Sequence, residues 1–476
     1  MITVHDVSVP QLAATPFIGR HQELTALRAA YSARQSAFWP IYGRRRVGKS
    51  ELILQFSRPH PTLYLVGKQG APAGQMMREF LEIAAVLMEE PLLATAPVES
   101  WKKVIDAVLG RWRHSEKLIL VLDEFQWLAE KSPELPSVLQ ELWDRAWQKS
   151  GRMFLILCGS YVGFMEREVL GKKSPLYGRR TGQILLRPFG YREAALFHPQ
   201  FSVVQQAMTY FICGGIPLYL QHFGSGRSVL QNIEAALLNE RAPLFREPDF
   251  LLREELREVE KYYLILMALA EKSMASREIA RRTSIDHRSL HYYLEQLSQL
   301  SYIGKHFPLT SNKPKARDVR YRLLDSLLRF WFRFVYPHTS LIAQAGPERA
   351  LAQVIQPRIE SYFGTCFETL CGEALSVLYE KEKVSAGFSV GAYWDSRTQI
   401  DVVGLRQDGW VDLCECKWGA VRSVSAIAAD LDEKVNRYPN PSRATIGRRL
   451  FLRSLRKARQ PPPANLRVHT LEELYA

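Results

Sequence analysis

One octapeptide limits what this 476-residue chain can fold into more than any other feature: Gly-Arg-Arg-Arg-Val-Gly-Lys-Ser at 43–50. An apolar run ending in Ile41 and Tyr42 precedes it, and the helical pattern Glu-Leu-Ile-Leu-Gln-Phe follows. Strand, glycine loop and helix in that order predict a phosphate-binding loop. Gly43 and Gly48 let backbone N–H groups turn inward around phosphates, and Arg44, Arg45, Arg46 and Val47 supply the backbone between them. Lys49 is expected to reach the β- and γ-phosphates and Ser50 to ligate magnesium. The helix start adds its positive dipole end.

A second motif supplies the acids that such a loop uses. In Lys-Leu-Ile-Leu-Val-Leu-Asp-Glu-Phe-Gln-Trp-Leu, residues 117–128, an apolar strand delivers Asp123 to its C-terminal end, where open α/β sheets bind ligands. Asp123 is expected to hold magnesium, usually through water, and Glu124 to polarise the attacking water. A further apolar run, 154–157, leads to Ser160, which is either a γ-phosphate sensor or an ordinary turn residue. Arg179 and Arg180 follow on a loop. Either is an arginine-finger candidate toward a neighbouring subunit, or a solvated surface charge.

Apolar runs at 38–42, 62–66, 118–122 and 154–157 alternate with helical patterns. That rhythm predicts an α/β fold with a parallel sheet covered on both faces. The segments FIGRHQEL, YGRRRVGKS, LVLDEFQWL, CGSYVGFM, SPLYGRR and GGIPLYL, in this order over about 17–240, resemble the archaeal-type ATPase family, a branch of the AAA+ and STAND-like P-loop ATPases. The resemblance implies ATP as the bound nucleotide, a helical lid after the core, and self-association into a homo-oligomer.

From about residue 260 the pattern changes to three helices and two short strands around 303–307 and 320–323, joined by Thr-Ser-Asn-Lys-Pro-Lys-Ala-Arg-Asp. This order predicts a winged helix-turn-helix. Leu290, Leu294 and Leu297 give its third helix an inward face. His287, Arg288 and His291 face outward, and Lys313, Lys315 and Arg317 lie on the wing. The formal charge of +14, from 63 Lys and Arg against 49 Asp and Glu, favours a polyanion as partner, with DNA the foremost candidate. The same module can instead serve as a spacer packed on the ATPase.

The C-terminal part places Asp401 in one strand-like run, 399–404, and Glu415 and Lys417 on one face of a second, 410–417. Antiparallel pairing would bring the three together, with Glu368 on the preceding helix as a further acid. Carboxylates and a lysine so arranged can bind magnesium and stabilise a pentacovalent phosphate. Ile-Asp at 400–401 and Glu-Cys-Lys at 415–417 resemble the PD-(D/E)XK nuclease fold. Residues 322–337 look like the start of the C-terminal domain commonly joined to these ATPases, which implies a restriction-endonuclease-like core. Gln399 stands where related sequences often carry a glutamate, which reduces the negative charge available to a metal.

The expected organisation is an ATPase core with helical lid over 1–255, a winged helix over 256–340 and a nuclease-like domain over 341–476. The expected activity is ATP hydrolysis coupled to DNA binding and metal-dependent cleavage. The alternative is an ATP-driven switch with a non-cleaving C-terminal domain. No run of about 18 apolar residues, no basic-then-apolar leader pattern at the start and no CxxC pair among six cysteines point to a cytoplasmic protein with no membrane partner.

Overall fold

The computed structural model describes residues 17–310, 318–421, 423–455 and 465–476. The chain forms two compact units, Met1–Pro188 and Phe189–Ala476.

In the first unit, β1 (Ala37–Tyr42) runs into the glycine loop and then helix α1 (Lys49–Ser57). It is joined in a five-stranded sheet by β2 (Thr62–Val66), β3 (Leu118–Asp123), β4 (Met153–Gly159) and β5 (Ile184–Leu185). The order is β2-β3-β4-β1-β5 and every pairing is parallel. All four expected strands are present. β3 and β4 are buried along their whole length, which explains their unbroken apolar sequence, because a parallel sheet hides both faces. β4 lies between the loop-bearing strand and the acid-bearing strand. The ends of β1, β3 and β4 therefore stand side by side, and these are the ends that carry the loop, Asp123 and Ser160.

The second unit begins with helices, among them α2 (Val203–Cys213). Residues 189–255, expected as the helical lid of the ATPase, lie in the second compact unit. The packing gives the reason. Tyr210 on α2 donates to both carboxylate oxygens of Glu373 at 2.9 Å, and the Tyr362 hydroxyl donates to the Phe211 carbonyl at 3.0 Å. Those partners lie some 150 residues downstream, where sequence order gives no hint of contact.

Three helices follow, α3 (Val259–Glu271), α4 (Ser276–Thr283) and α5 (His287–Gln299), then an antiparallel ribbon of β6 (Ile303–His306) and β7 (Arg320–Leu323). Leu290, Leu294 and Leu297 are buried as expected, and Ser284 makes the turn between α4 and α5 in a left-handed conformation, φ 56°. Helix α6 (Ser326–Phe330) and the 23-residue helix α7 (Ile359–Lys381) lead to a second sheet. Its strands are β8 (Phe388–Trp394), β9 (Gln399–Arg406), β10 (Trp410–Lys417), β11 (Thr445–Leu452) and β12 (Leu466–Thr470), with helix α8 (Val424–Arg437) before β11. The order is β12-β11-β10-β9-β8: β8, β9 and β10 pair antiparallel, and β10, β11 and β12 pair parallel. Ile400, Val403, Leu413, Leu431 and Leu450 form the core beneath it. The chain just after β6 joins this sheet, since Leu309 donates to the Ala392 carbonyl at 2.8 Å.

Candidate functional site

The phosphate-loop residues converge as their spacing predicts. Gly43 follows β1 so close to the returning chain that a Cβ there would lie 2.2 Å from the Leu186 carbonyl oxygen, and Gly48 adopts φ 89°. The Lys49 ammonium donates to the carbonyls of Gly43 at 2.9 Å and Arg44 at 3.0 Å, folding back over the loop. Val47 is fully buried, whereas Arg46 is exposed with φ 69°. Arg20 fixes the loop from outside: its guanidinium donates to the Val47 carbonyl at 3.2 Å and the Arg187 carbonyl at 2.7 Å.

Asp123 accepts from the Ser50 hydroxyl at 2.8 Å, the Tyr64 hydroxyl at 2.6 Å and the Glu124 amide at 2.8 Å. Burial, with the adjacent Asp123 charge, raises the Tyr64 phenol well above its ordinary range, so it stays a donor. Glu124 sits in the left-handed region at φ 48°. Its carboxylate accepts from Ser160 at 2.6 Å and from the Gln126 amide. Ser160 is thus tied directly to the proposed water-polarising acid. Tyr64, Gln126 and Arg20 were not singled out from sequence, because only the folded sheet places them beside the loop.

Arg179 forms a bidentate pair with Asp144, at 2.8 and 2.7 Å. Arg180 beside it is exposed.

Residues 17–223 match the model of an ATPase domain found predominantly in Archaea. This part of the chain is similar to that archaeal-type ATPase domain. The match supports ATP binding and hydrolysis by these residues. Residues 331–428 match a second family, archaeal and bacterial proteins of unknown function. An uncharacterised protein of Methanocaldococcus jannaschii is 28% identical over 422 residues, 88% of this chain and 91% of its own length. The Walker-type ATPase of Pyrococcus abyssi shares the fold, with a TM-score of 0.50 and 19% identity over 69% of this chain and 99% of that one. The Aeropyrum pernix ORC2 protein in its ADPNP–ADP complexes follows with a TM-score of 0.42 and 17% identity, over 72% and 97% of the two chains.

Outside the ATPase domain, the C-terminal residues also meet. The register of β9 on β10 pairs Val402 with Cys414, which brings Asp401 next to Glu415. The Cys416 amide donates to Asp401 at 3.0 Å. Glu415, 2% exposed, accepts from Lys417 and from Lys434 of α8, both at 2.7 Å. Lys434 was not anticipated, since only the return of α8 across the sheet supplies it. Burial and the Glu415 charge raise Asp401 to about 6, and burial with the Asp401 and Glu415 charges raises Glu368 to about 8. Such like-charge crowding favours a cation. Among the described residues, however, no group of three or more His, Cys, Asp or Glu side chains is gathered to hold a metal ion.

Arg288 is exposed at the start of α5. Lys313, Lys315 and Arg317 lie outside the described residues. Among the described residues no helix is long and apolar enough to cross a membrane.

Proposed function

We propose that the ATPase domain is a nucleotide-controlled module whose ATP state governs DNA binding, and metal-dependent DNA cleavage, by the second unit. The observation that carries this reading is the meeting of Asp401, Glu415 and Lys417 on neighbouring strands with Glu368 nearby, in a sheet separate from the one that bears the phosphate loop. The three helices and ribbon before it read as a winged helix-turn-helix, with exposed Arg288 and the segment carrying Lys313, Lys315 and Arg317 toward the DNA backbone. The mixed sheet with its flanking helices reads as a restriction-endonuclease-like core.

In the ATPase domain, Lys49 would turn from its own loop carbonyls to the β- and γ-phosphates. Ser50 and Asp123, already 2.8 Å apart, would hold Mg2+, which neutralises charge developing on the transferred phosphoryl group. Glu124, oriented by Ser160 and Gln126, would polarise water. A homo-oligomer would let an arginine reach a neighbour's nucleotide. Arg179 serves only if it leaves Asp144, and exposed Arg180 needs no such release. A cytoplasmic location fits this reading.

In the nuclease-like site, Asp401 and Glu415 would hold the divalent ion, and Lys417 would stabilise the charge on the attacked phosphate. The occupation of both Glu415 oxygens by ammonium groups favours a second reading, an ATP-driven switch that binds DNA or a partner protein without cutting. Incubating linear, circular and single-stranded DNA with Mg2+ or Mn2+, with and without ATP, separates the two. Cutting by the wild type that Asp401→Ala abolishes, with ATP hydrolysis intact, supports the nuclease. Hydrolysis without cutting under every condition leaves the switch.

A further inference from the structure

Four arginines line one cavity of about 410 Å³ in the second unit. Arg320 and Arg322 stand on β7, Arg329 on α6 and Arg333 soon after it. Among the described residues none of the four forms an ion pair. Arg329 is 9% exposed and its buried Nε has no hydrogen-bond partner. Arg333 reaches the Glu271 carbonyl at 3.4 Å. Aromatic faces complete the lining: Arg320 lies 4.8 Å from the ring centre of Trp394, and Arg329 and Arg333 lie 5.9 and 5.6 Å from that of Tyr362. Glu368 and Asp401 border the same cavity. Burial, then the Arg329 charge, lowers Arg322 to about 10, which leaves it a cation at neutral pH.

Buried charges are ordinarily paired within the protein. Glu271 and Glu373 also line the cavity, and the Glu373 and Glu368 charges act on Arg322 through space. Among the described residues, however, no carboxylate lies at bonding distance of the four guanidinium groups, which suits them to an anion from outside. The planar fork of arginine suits phosphate as well as carboxylate. The volume suits one small ligand, which admits a single nucleotide and not stacked base pairs. An unpaired base brings its own phosphate and a flat face for aromatic or guanidinium contact.

We propose that this cavity is a phosphate subsite for single-stranded DNA, in which Arg320, Arg322, Arg329 and Arg333 hold the phosphate of one unpaired nucleotide beside Glu368 and Asp401. The placement of that phosphate for cleavage rests on the nuclease reading above, whereas the binding itself does not.

The test is anisotropy of a labelled oligodeoxythymidylate, with and without a 5′-phosphate, on the full chain in EDTA across a salt series, beside the matching duplex. The wild type is expected to bind single strand more tightly than duplex. Arg322→Gln with Arg333→Gln is expected to weaken single-strand binding about 10-fold and to flatten the log Kd against log salt slope by about 0.7, the contribution of one phosphate. Arg322→Lys, which keeps the charge, recovers part of that loss. A preference for the 5′-phosphorylated strand assigns the site to a chain end, and equal binding assigns it to an internal phosphodiester. If the double variant fails to fold, Arg320→Gln carries the same comparison, with Arg322→Lys as its charge-keeping control. Variants that melt with the wild type and bind single strand with unchanged affinity and slope overturn the subsite. Arginine-dependent binding without any metal-dependent cutting removes the nuclease reading and leaves the subsite standing.

Discussion

Glu124 follows the magnesium-binding candidate at once, in a left-handed backbone that costs a non-glycine residue free energy. The hydrogen bonds from Ser160 and Gln126 show what that strain holds: a carboxylate aimed by two donors rather than one swinging in solvent. Glu124→Gln is expected to lower ATP turnover by about 10²–10⁴-fold, with the Kd for ATP nearly unchanged, as single-turnover kinetics and equilibrium binding would show. Ser160→Ala leaves one of the two donors and should fall between that variant and wild type. Lys49→Ala acts on binding instead, and unchanged ATP affinity in that variant would remove the phosphate-loop assignment. In the second unit, Lys434 shares Glu415 with Lys417 at equal distances. Lys434→Met should therefore raise affinity for Mn2+ if Glu415 is a metal ligand, as titration calorimetry would report.

At the scale of elements, register decides chemistry. A strand's side chains alternate between faces, so a one-residue slip of β9 on β10 would turn Asp401 away from Glu415. The register is pinned by apolar neighbours on the same face, Val403 and Leu413, which pair across the two strands and are both fully buried. Leu413→Ala is expected to cost about 2–5 kcal/mol, measured by urea unfolding, and to weaken metal binding along with it. Gly43 plays the corresponding part at the end of β1. Gly43→Ala puts a methyl group against the Leu186 carbonyl, so the loop must shift. Nucleotide affinity should fall by more than any change in melting temperature explains.

Across the whole molecule, buried titratable groups set opposing responses to pH. Burial and the Arg322 charge lower His306 to about 4, below its ordinary value near 6.5. The folded state therefore favours its neutral form. That contribution is fully present above pH 6.5 and is lost as pH falls toward 4. Asp401, raised to about 6, has the opposite sign, because its ionised form is penalised on folding and its protonation at low pH relieves that penalty. Melting temperatures between pH 7 and 4 should fall less steeply in His306→Gln than in wild type, and more steeply in Asp401→Asn. The sequence by itself determined the parallel sheet, the phosphate loop, the acid at the end of β3, the helices and ribbon of the middle segment and the two strands carrying Asp401 and Glu415. Each of these is written in local periodicity or a short motif, where neighbours in sequence are neighbours in space. Only tertiary structure decided that 189–255 joins the second unit, that Arg179 is held by Asp144, and that Tyr64, Lys434 and four arginines surround the two sites. Those contacts link residues from about 20 to more than 160 positions apart. They arise from how elements stack once formed, which no local pattern encodes.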